Sequence, residues 1–338
     1  MVIVTARRPR ASSSAERRCG GVHVLSPGSS IVSPGGLSYA RRVLQSEVAR
    51  EFERQRPRLF SVAYRLLGSA GEAEDVVQDA FLRFNDADRA AIENLAAWLT
   101  KVVTNLCLNR LTSARARRER YVGPWLPEPV VTADSALGPL DTVEQRDSVS
   151  MAFLLLLERL TPPERAVFVL RECFGYRHRE IAEILDLSES HCQQLHHRAR
   201  QRIGEQRPRF SASRADGDRI ARRFLAAARG GDIAALEKLL ADDVVAWADG
   251  GGKATAARRP IRGVERVARY LGWMSWPVPD LTVLLTEING QPGFVALVGA
   301  QVILVVVLEI RDGRITDIRI VANPDKLAFL ASQLPDRD

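Results

Sequence analysis

The side chains best suited to reading a nucleic acid are concentrated between Ser188 and Ile203. Ser190, His191, Gln193, Gln194, His197, Arg198, Arg200, Gln201 and Arg202 fall on one side of a 3.6-residue period, and Leu195, Ala199 and Ile203 on the other. A glutamine amide can pair bidentately with adenine, and an arginine fork with guanine or phosphate. Ser190, His191, Gln193, Gln194 and His197 stand nearest the helix start and are the expected base readers. Arg198, Arg200 and Arg202 are expected on phosphates or in solvent. A solvated basic helix face would have the same composition. His191, Cys192, His196 and His197 match no standard zinc spacing, so no metal is expected there.

Two further clusters carry charge chemistry. Arg110, Arg115, Arg117, Arg118 and Arg120 lie within eleven residues. Such a run can track a phosphate backbone, each neutralised phosphate steepening the salt dependence of binding by about one unit. Glu74, Asp75, Gln78 and Asp79 form an acidic-polar helix face, either merely solvated or a docking surface for a basic partner.

These groups need helices to hold them. Thr161, Pro162 and Glu164 mark a helix start with Ala166, Val167, Leu170 and Cys173 inward. A shorter helix presenting Ile181, Ala182 and Leu185 follows, then a turn at Leu187-Ser188, with Ser188 capping the basic helix. A short helix, a tight turn and a polar-basic helix make a helix-turn-helix, whose second helix enters the major groove. Upstream, Leu59, Ala63, Leu66 and Leu67 mark one helix face that ends at Gly68. Ser69 and Glu72 start a second helix, packed through Ala73, Val76, Val77, Ala80, Phe81 and Phe84. A third is packed through Leu95, Trp98, Leu99, Val102, Val103 and Leu106, with Lys101, Asn105, Asn109 and Thr112 facing away. A polar loop, Asn85 to Glu93, joins the last two.

With 338 residues and 46% hydrophobic content, the chain has room for two or three packed domains. The net charge of +7 is uneven: residues 1–50 carry +6 and residues 121–160 carry −4. Local excesses suit discrete nucleic-acid contacts better than a uniformly sticky surface. No apolar run approaches a membrane span, and the four cysteines show no paired spacing. Reduced thiols and a cytoplasmic location are expected. Residues 1–45 are rich in Ser, Gly, Pro and Arg, lack an apolar signal core, and are expected to be disordered. Because the organised pattern begins only at Phe52, the native start is expected nearer Val43 or Val48.

The block Phe52–Arg120 resembles region 2 of an extracytoplasmic-function (ECF) sigma factor. It carries Tyr64-Arg65-Leu66-Leu67-Gly68, Ala73-Glu74-Asp75-Val76-Val77-Gln78-Asp79 and Ala97-Trp98-Leu99. Leu160–Ile203 resembles region 4, with Leu160-Thr161-Pro162-Pro163-Glu164-Arg165 and Glu180-Ile181-Ala182-Glu183-Ile184-Leu185. The resemblance implies that Glu74, Asp75, Gln78 and Asp79 dock on the β′ clamp helices of core RNA polymerase. It implies a −10 reading surface of Asn85, Lys101, Asn105, Asn109, Arg115, Arg117 and Arg118. Region 4 would read the −35 element and meet the β flap. His191, Cys192 and Gln193 are unusual for a family recognition helix, so the −35 bases stay unnamed.

Residues 211–338 change character. Two helices (about 217–229 and 232–240), a strand at Val244–Trp247 and a helix at 263–272 precede strands at 281–288, 294–298, 302–310 and 315–321. Asn289-Gly290 and Asp312-Gly313 are hairpin turns. Helices first and an antiparallel sheet after give an α+β domain similar to the SnoaL-like, NTF2-like cone. Asp249-Gly250-Gly251-Gly252-Lys253, Asn323-Pro324-Asp325-Lys326-Leu327 and Trp125-Leu126-Pro127-Glu128-Pro129 resemble the SigJ-like subgroup, ECF sigma factors with a fused SnoaL-like domain. That resemblance implies regulation in cis and singles out Trp125, Pro127, Asp249, Lys253, Asn323, Asp325 and Lys326. Trp125 reads as an anchor seeking a groove, and Lys326 as free to meet an acidic surface.

The expected architecture is therefore multidomain. It has an extension (1–45), an all-α region 2 bundle (46–120), a linker (121–150), an all-α region 4 helix-turn-helix (151–210) and an α+β cone (211–338). Catalysis is not expected. No histidine lies beyond residue 210, Tyr270 is the sole tyrosine there, and Asp249 is the one candidate base. The glycine run lacks P-loop spacing. No cofactor is expected; a small-molecule ligand in the cone stays open. Two rivals stand beside the sigma reading: a one-component regulator with a ligand-sensing cone, and a DNA-targeted enzyme.

Overall fold

The computed structural model describes residues 34–133, 137, 143–204, 214–273 and 279–335. Two units are distinguished, 1–47 and 48–338, and the second holds all the candidate functional residues. The helices are α1 (Pro34–Leu67), α2 (Ala70–Asp86), α3 (Leu95–Glu119), α4 (Val143–Asp147), α5 (Met151–Leu157) and α6 (Pro162–Glu172). They continue with α7 (His178–Leu185), α8 (Glu189–Ile203), α9 (Arg214–Gly230), α10 (Ile233–Leu239), α11 (Val264–Trp273) and α12 (Pro324–Gln333). The strands are β1 (Leu240–Asp249), β2 (Ile261–Arg262), β3 (Leu281–Ile288), β4 (Gln291–Val298), β5 (Gln301–Arg311) and β6 (Arg314–Val321).

Composition predicts disorder through residue 45, yet α1 begins at Pro34. From Leu37 to Arg56 the chain has no glycine or proline and is rich in good helix formers, and the helix continues through Pro57 to Leu67. Gly68 ends α1 in the left-handed region (φ 68°), and its amide closes on the Tyr64 carbonyl at 2.8 Å. Ser69 then caps α2, its hydroxyl accepting from the Glu72 amide at 3.1 Å.

Helices α1 to α3 and α5 to α8 share one apolar core. It runs from Phe52, Leu59 and Tyr64 through Val76 and Phe84 to Val167, Leu170, Leu195 and Ile203. Within it, Arg165 donates to the Glu158 carboxylate at 2.5 Å and to the Arg65 carbonyl at 3.2 Å, linking the first helix to the sixth.

The six strands form one sheet in the order β2-β1-β6-β5-β4-β3. All neighbours are antiparallel except β1 and β6, which run parallel, so the sheet is mixed rather than antiparallel. Alternation along a strand sets which face is buried but not the direction of its partner, which explains the difference. One sheet face packs on α9, α10 and α11 through Phe224, Leu236, Val267, Leu308 and Ile318. The other face carries Val295, Val305 and Val307 and meets Leu126 and Val131 of the linker, Met151, and Leu327 and Leu330 of α12. Full burial of a residue such as Leu126 contributes about 1.5–3 kcal/mol. The linker is thus part of the C-terminal domain's second core.

Candidate functional site

On α8, Ser190, His191, Gln193, Gln194, His197, Arg198 and Arg200 are exposed together, while Cys192, Leu195, Ala199 and Ile203 are buried. Ser188 caps the helix through the His191 amide at 3.2 Å. Asp186 takes the left-handed conformation that ends α7 (φ 54°). Arg198 and Arg202 reach back to Glu164 on α6 at 3.4 and 2.6 Å, and these contacts orient the helix. Behind it, the His178 Nε2 lies 3.3 Å from His196 Nδ1, and His196 Nε2 lies 3.0 Å from the Glu172 carboxylate. Burial first, then His196 and Arg171, hold His178 below the ordinary histidine value.

The acidic-polar face of α2 also stands outward, with Asp75 and Gln78 exposed and Glu74 and Asp79 half-buried. Arg56 pairs with Glu74, and Arg110 pairs with Asp79 at 2.9 Å and Asp75 at 3.4 Å. Of the residues assigned by resemblance to the −10 element, Asn85 and Asn109 are exposed and Asn105 is half-buried. Lys101 is not free. Its ammonium donates to the Asp186 carboxylate at 2.5 Å and to the Glu183 carbonyl at 3.1 Å. Arg118 sits under the Trp125 ring at 4.0 Å and pairs with Glu158. The side chains of Arg115 and Arg117 lie outside the described residues.

A third cluster is buried. Asp249, at the end of β1, is fully enclosed. One carboxylate oxygen accepts from the Tyr121 hydroxyl at 2.5 Å; the other accepts from the Leu126 amide at 2.8 Å and the Lys326 ammonium at 2.7 Å. Lys326 also donates to the Leu126 carbonyl and lies 4.4 Å from the Trp125 ring and 4.6 Å from the Tyr121 ring. It is therefore committed to a buried partner, not free for an acidic surface. Burial, opposed by Asp249, pushes its pKa down to about 8. Asn323 caps α12 through the Asp325 amide at 3.2 Å and donates to the Tyr121 hydroxyl at 2.7 Å. Lys253 pairs with Asp325 at 2.6 Å, a contact inside the C-terminal domain.

The glycine run is a tight turn. Gly251 and Gly252 have φ of 57° and 74°, and a Cβ on Gly251 would collide with the Asn323 side-chain amide. Only glycine fits there.

Several partners in this cluster were not legible as functional. Glu128 accepts from Ser69 at 2.7 Å and from the Gly71 amide at 2.9 Å, seating the linker on the start of α2. Burial raises its pKa against those donors. Asn289, expected only as a turn residue, accepts from the Val130 amide at 3.1 Å and donates to the Tyr64 hydroxyl at 2.6 Å and the Val149 carbonyl at 2.8 Å. Tyr64 donates in turn to the Glu128 carbonyl at 2.6 Å. Val131 bridges Ile288 and the Thr132 amide donates to the Glu287 carbonyl at 3.0 Å, so the linker pairs with the last residues of the outer strand β3. Pro127 is buried. Trp125 packs within 3.1 Å of where a Cβ on Gly68 would stand.

Comparison with known proteins matches this layout. Residues 52–117 match the Sigma-70 region 2 family, residues 150–203 the Sigma-70 region 4 family, and residues 221–318 the SnoaL-like domain family. The ECF RNA polymerase sigma factor SigJ of Mycobacterium tuberculosis is 39% identical over 298 residues, covering 85% of this chain and 95% of its own. This chain belongs to the ECF sigma factors. A second relative from M. tuberculosis, described as "Probable ECF RNA polymerase sigma factor SigI", is 34% identical over 85% of this chain and 97% of its own. The crystal structure of M. tuberculosis SigJ superposes with a TM-score of 0.65 at 35% identity, covering 83% of this chain and 98% of that one. The ECF sigma factor therefore has its two helical sigma regions followed by a SnoaL-like α+β domain. Among the described residues no helix is long and apolar enough to cross a membrane, and no group of three or more potential ligands could hold a metal.

Proposed function

We propose that this ECF sigma factor is held closed by its own SnoaL-like domain until core RNA polymerase and promoter DNA open it. In the open state Glu74, Asp75, Gln78 and Asp79 meet the β′ clamp helices. Asn85, Lys101, Asn105, Asn109, Arg115, Arg117 and Arg118 work at the −10 element. The outward face of α8 reads the −35 element while region 4 meets the β flap. The observation that carries the closed state is the buried Asp249. It takes hydrogen bonds from Tyr121 and Leu126 of the linker and from Lys326 of α12. Phe329 of the same helix stacks on Phe60 of α1, centroids 5.2 Å apart, so α12 joins the linker to region 2. Lys101 bound to Asp186 occupies a −10 group with a residue of the helix-turn-helix, as a closed state requires.

The C-terminal domain acts here as a clamp and not as an enzyme. Its one candidate base, Asp249, is consumed by structural partners. A small-molecule effector has a place to enter, a cavity of about 350 Å³ lined by Val122, Gly123, Gly251, Gly252, Lys253 and Arg258. Because linker and glycine turn share that cavity, a ligand in it would act on the clamp.

In vitro transcription with purified core enzyme tests this reading. The full chain should start from its own promoter, and Asp249→Ala/Lys326→Ala should raise output and tighten the apparent affinity for core, which binds the open state. A full chain that neither binds core nor initiates would overturn the initiation mechanism. Unchanged output from the double variant would overturn the clamp.

A further inference from the structure

We infer that the SnoaL-like domain itself contacts promoter DNA, through an arginine edge that adjoins Arg120 at the start of the linker. Between Lys253 and Arg269 the chain carries Arg258, Arg259, Arg262 and Arg266 as well, against one acid, Glu265. The whole segment 211–338 carries only +1, so this domain's positive charge is gathered rather than spread. Glu265 is engaged by Arg269 at 2.5 Å. Arg258, Arg259, Arg262 and Arg266 are exposed and make no ion pair with another described residue.

Local structure puts the four in a row. β2 is an outer strand of the sheet and pairs Arg262 with Val245 of β1. Gly263, with φ 88°, turns the chain directly into α11. That helix buries Val267, Ala268 and Leu271, which leaves Arg266 and Arg269 on the opposite side.

The row does not end at the domain. A Cβ on Gly123 would stand 3.9 Å from the Arg258 Cα, and one on Gly252 would stand 3.4 Å from Val122. The linker residues that follow Arg120 therefore lie against the start of the arginine row, and Arg120 itself is exposed. Arg120 and the row from Arg258 to Arg266 are thus joined through three linker residues. A line of exposed arginines that reaches from the C-terminal domain to Arg120 fits a phosphate backbone, which presents a regular line of negative charge. In this chain the polyanion is the DNA that region 2 already addresses. This inference rests on the sigma reading for the identity of the polyanion, but its test needs neither polymerase nor a known promoter.

The full chain is titrated against a fluorescein-labelled 30-base-pair duplex of mixed sequence at several salt concentrations. Arg258→Gln/Arg259→Gln/Arg262→Gln/Arg266→Gln should bind more weakly at low salt. Its slope of log affinity against log salt should be shallower by about two to three, near 0.9 for each phosphate no longer neutralised. The matching set of four Lys substitutions should keep the wild-type slope. A photo-crosslinking residue in place of Glu265 should attach to the duplex. An unchanged slope in the Gln variant, with its melting temperature intact, would overturn the inference. So would a crosslink from position 265 found only on protein and never on the duplex. A protein that fails to initiate transcription but loses slope in the Gln variant would contradict the sigma mechanism and leave this surface standing.

Discussion

At the residue scale, the Asp249–Lys326 pair makes the most specific demands. Both side chains are buried, so removing one partner leaves an uncompensated charge, and breaking such a pair costs about 3–5 kcal/mol. Lys326→Ala should lower the denaturation free energy by an amount in that range. Asp249→Ala/Lys326→Ala should be less damaged than the two single losses added together, and chemical denaturation of the three variants measures the coupling. The same pair sets a pH dependence. Lys326 has its pKa near 8 in the folded chain, below the ordinary value of 10.5. Between those values the unfolded chain binds the extra proton, so unfolding takes one up and stability contributed by this group rises with pH. Below about pH 8 the contribution is flat. Denaturation midpoints at pH 7 and 9.5 for wild type and Lys326→Met should differ in this sense, the wild type gaining on the variant as pH rises.

At the element scale, the helix-turn-helix was legible because each device in it is local. Ser188 caps, Leu195, Ala199 and Ile203 keep a helical period, and the polar face follows from them. Its contact with α3 was not legible, because Lys101 and Asp186 are far apart in the chain. Asp186→Asn tests that contact while keeping a residue that tolerates the left-handed conformation. The pair is largely exposed and contributes at most about 1 kcal/mol, so basal transcription by the full chain should rise by about twofold to fivefold. Abortive-product assays read this directly. The linker shows the other limit. Pro127 and Pro129 were readable as residues that exclude regular structure, but Glu128 between them gave no sign of seating on Ser69 and Gly71. Asn289 looked like a turn residue, which it is (φ 53°), and its amide nonetheless ties Val130 to Tyr64. The short β2 offers too few residues for a period, and the parallel run of β1 beside β6 follows from packing rather than from alternation.

At the scale of the whole molecule, the SnoaL-like domain replaces one of its solvent faces with the sigma linker. Leu126 and Val131 enter the sheet core, Val131 bridges the last residue of β3, and α12 closes over both while Phe329 reaches Phe60. Separating regions 2 and 4 therefore requires the linker to leave that core or the whole domain to travel with it. The direct measurement is the distance between spin labels at Arg83 on α2 and Gln201 on α8, in a chain whose native cysteines are replaced. The free wild type should give one short, narrow distance distribution, and Asp249→Ala/Lys326→Ala should give a longer and broader one. Identical distributions in the two proteins, with both still folded, would contradict the claim that the C-terminal domain sets the separation of the sigma regions.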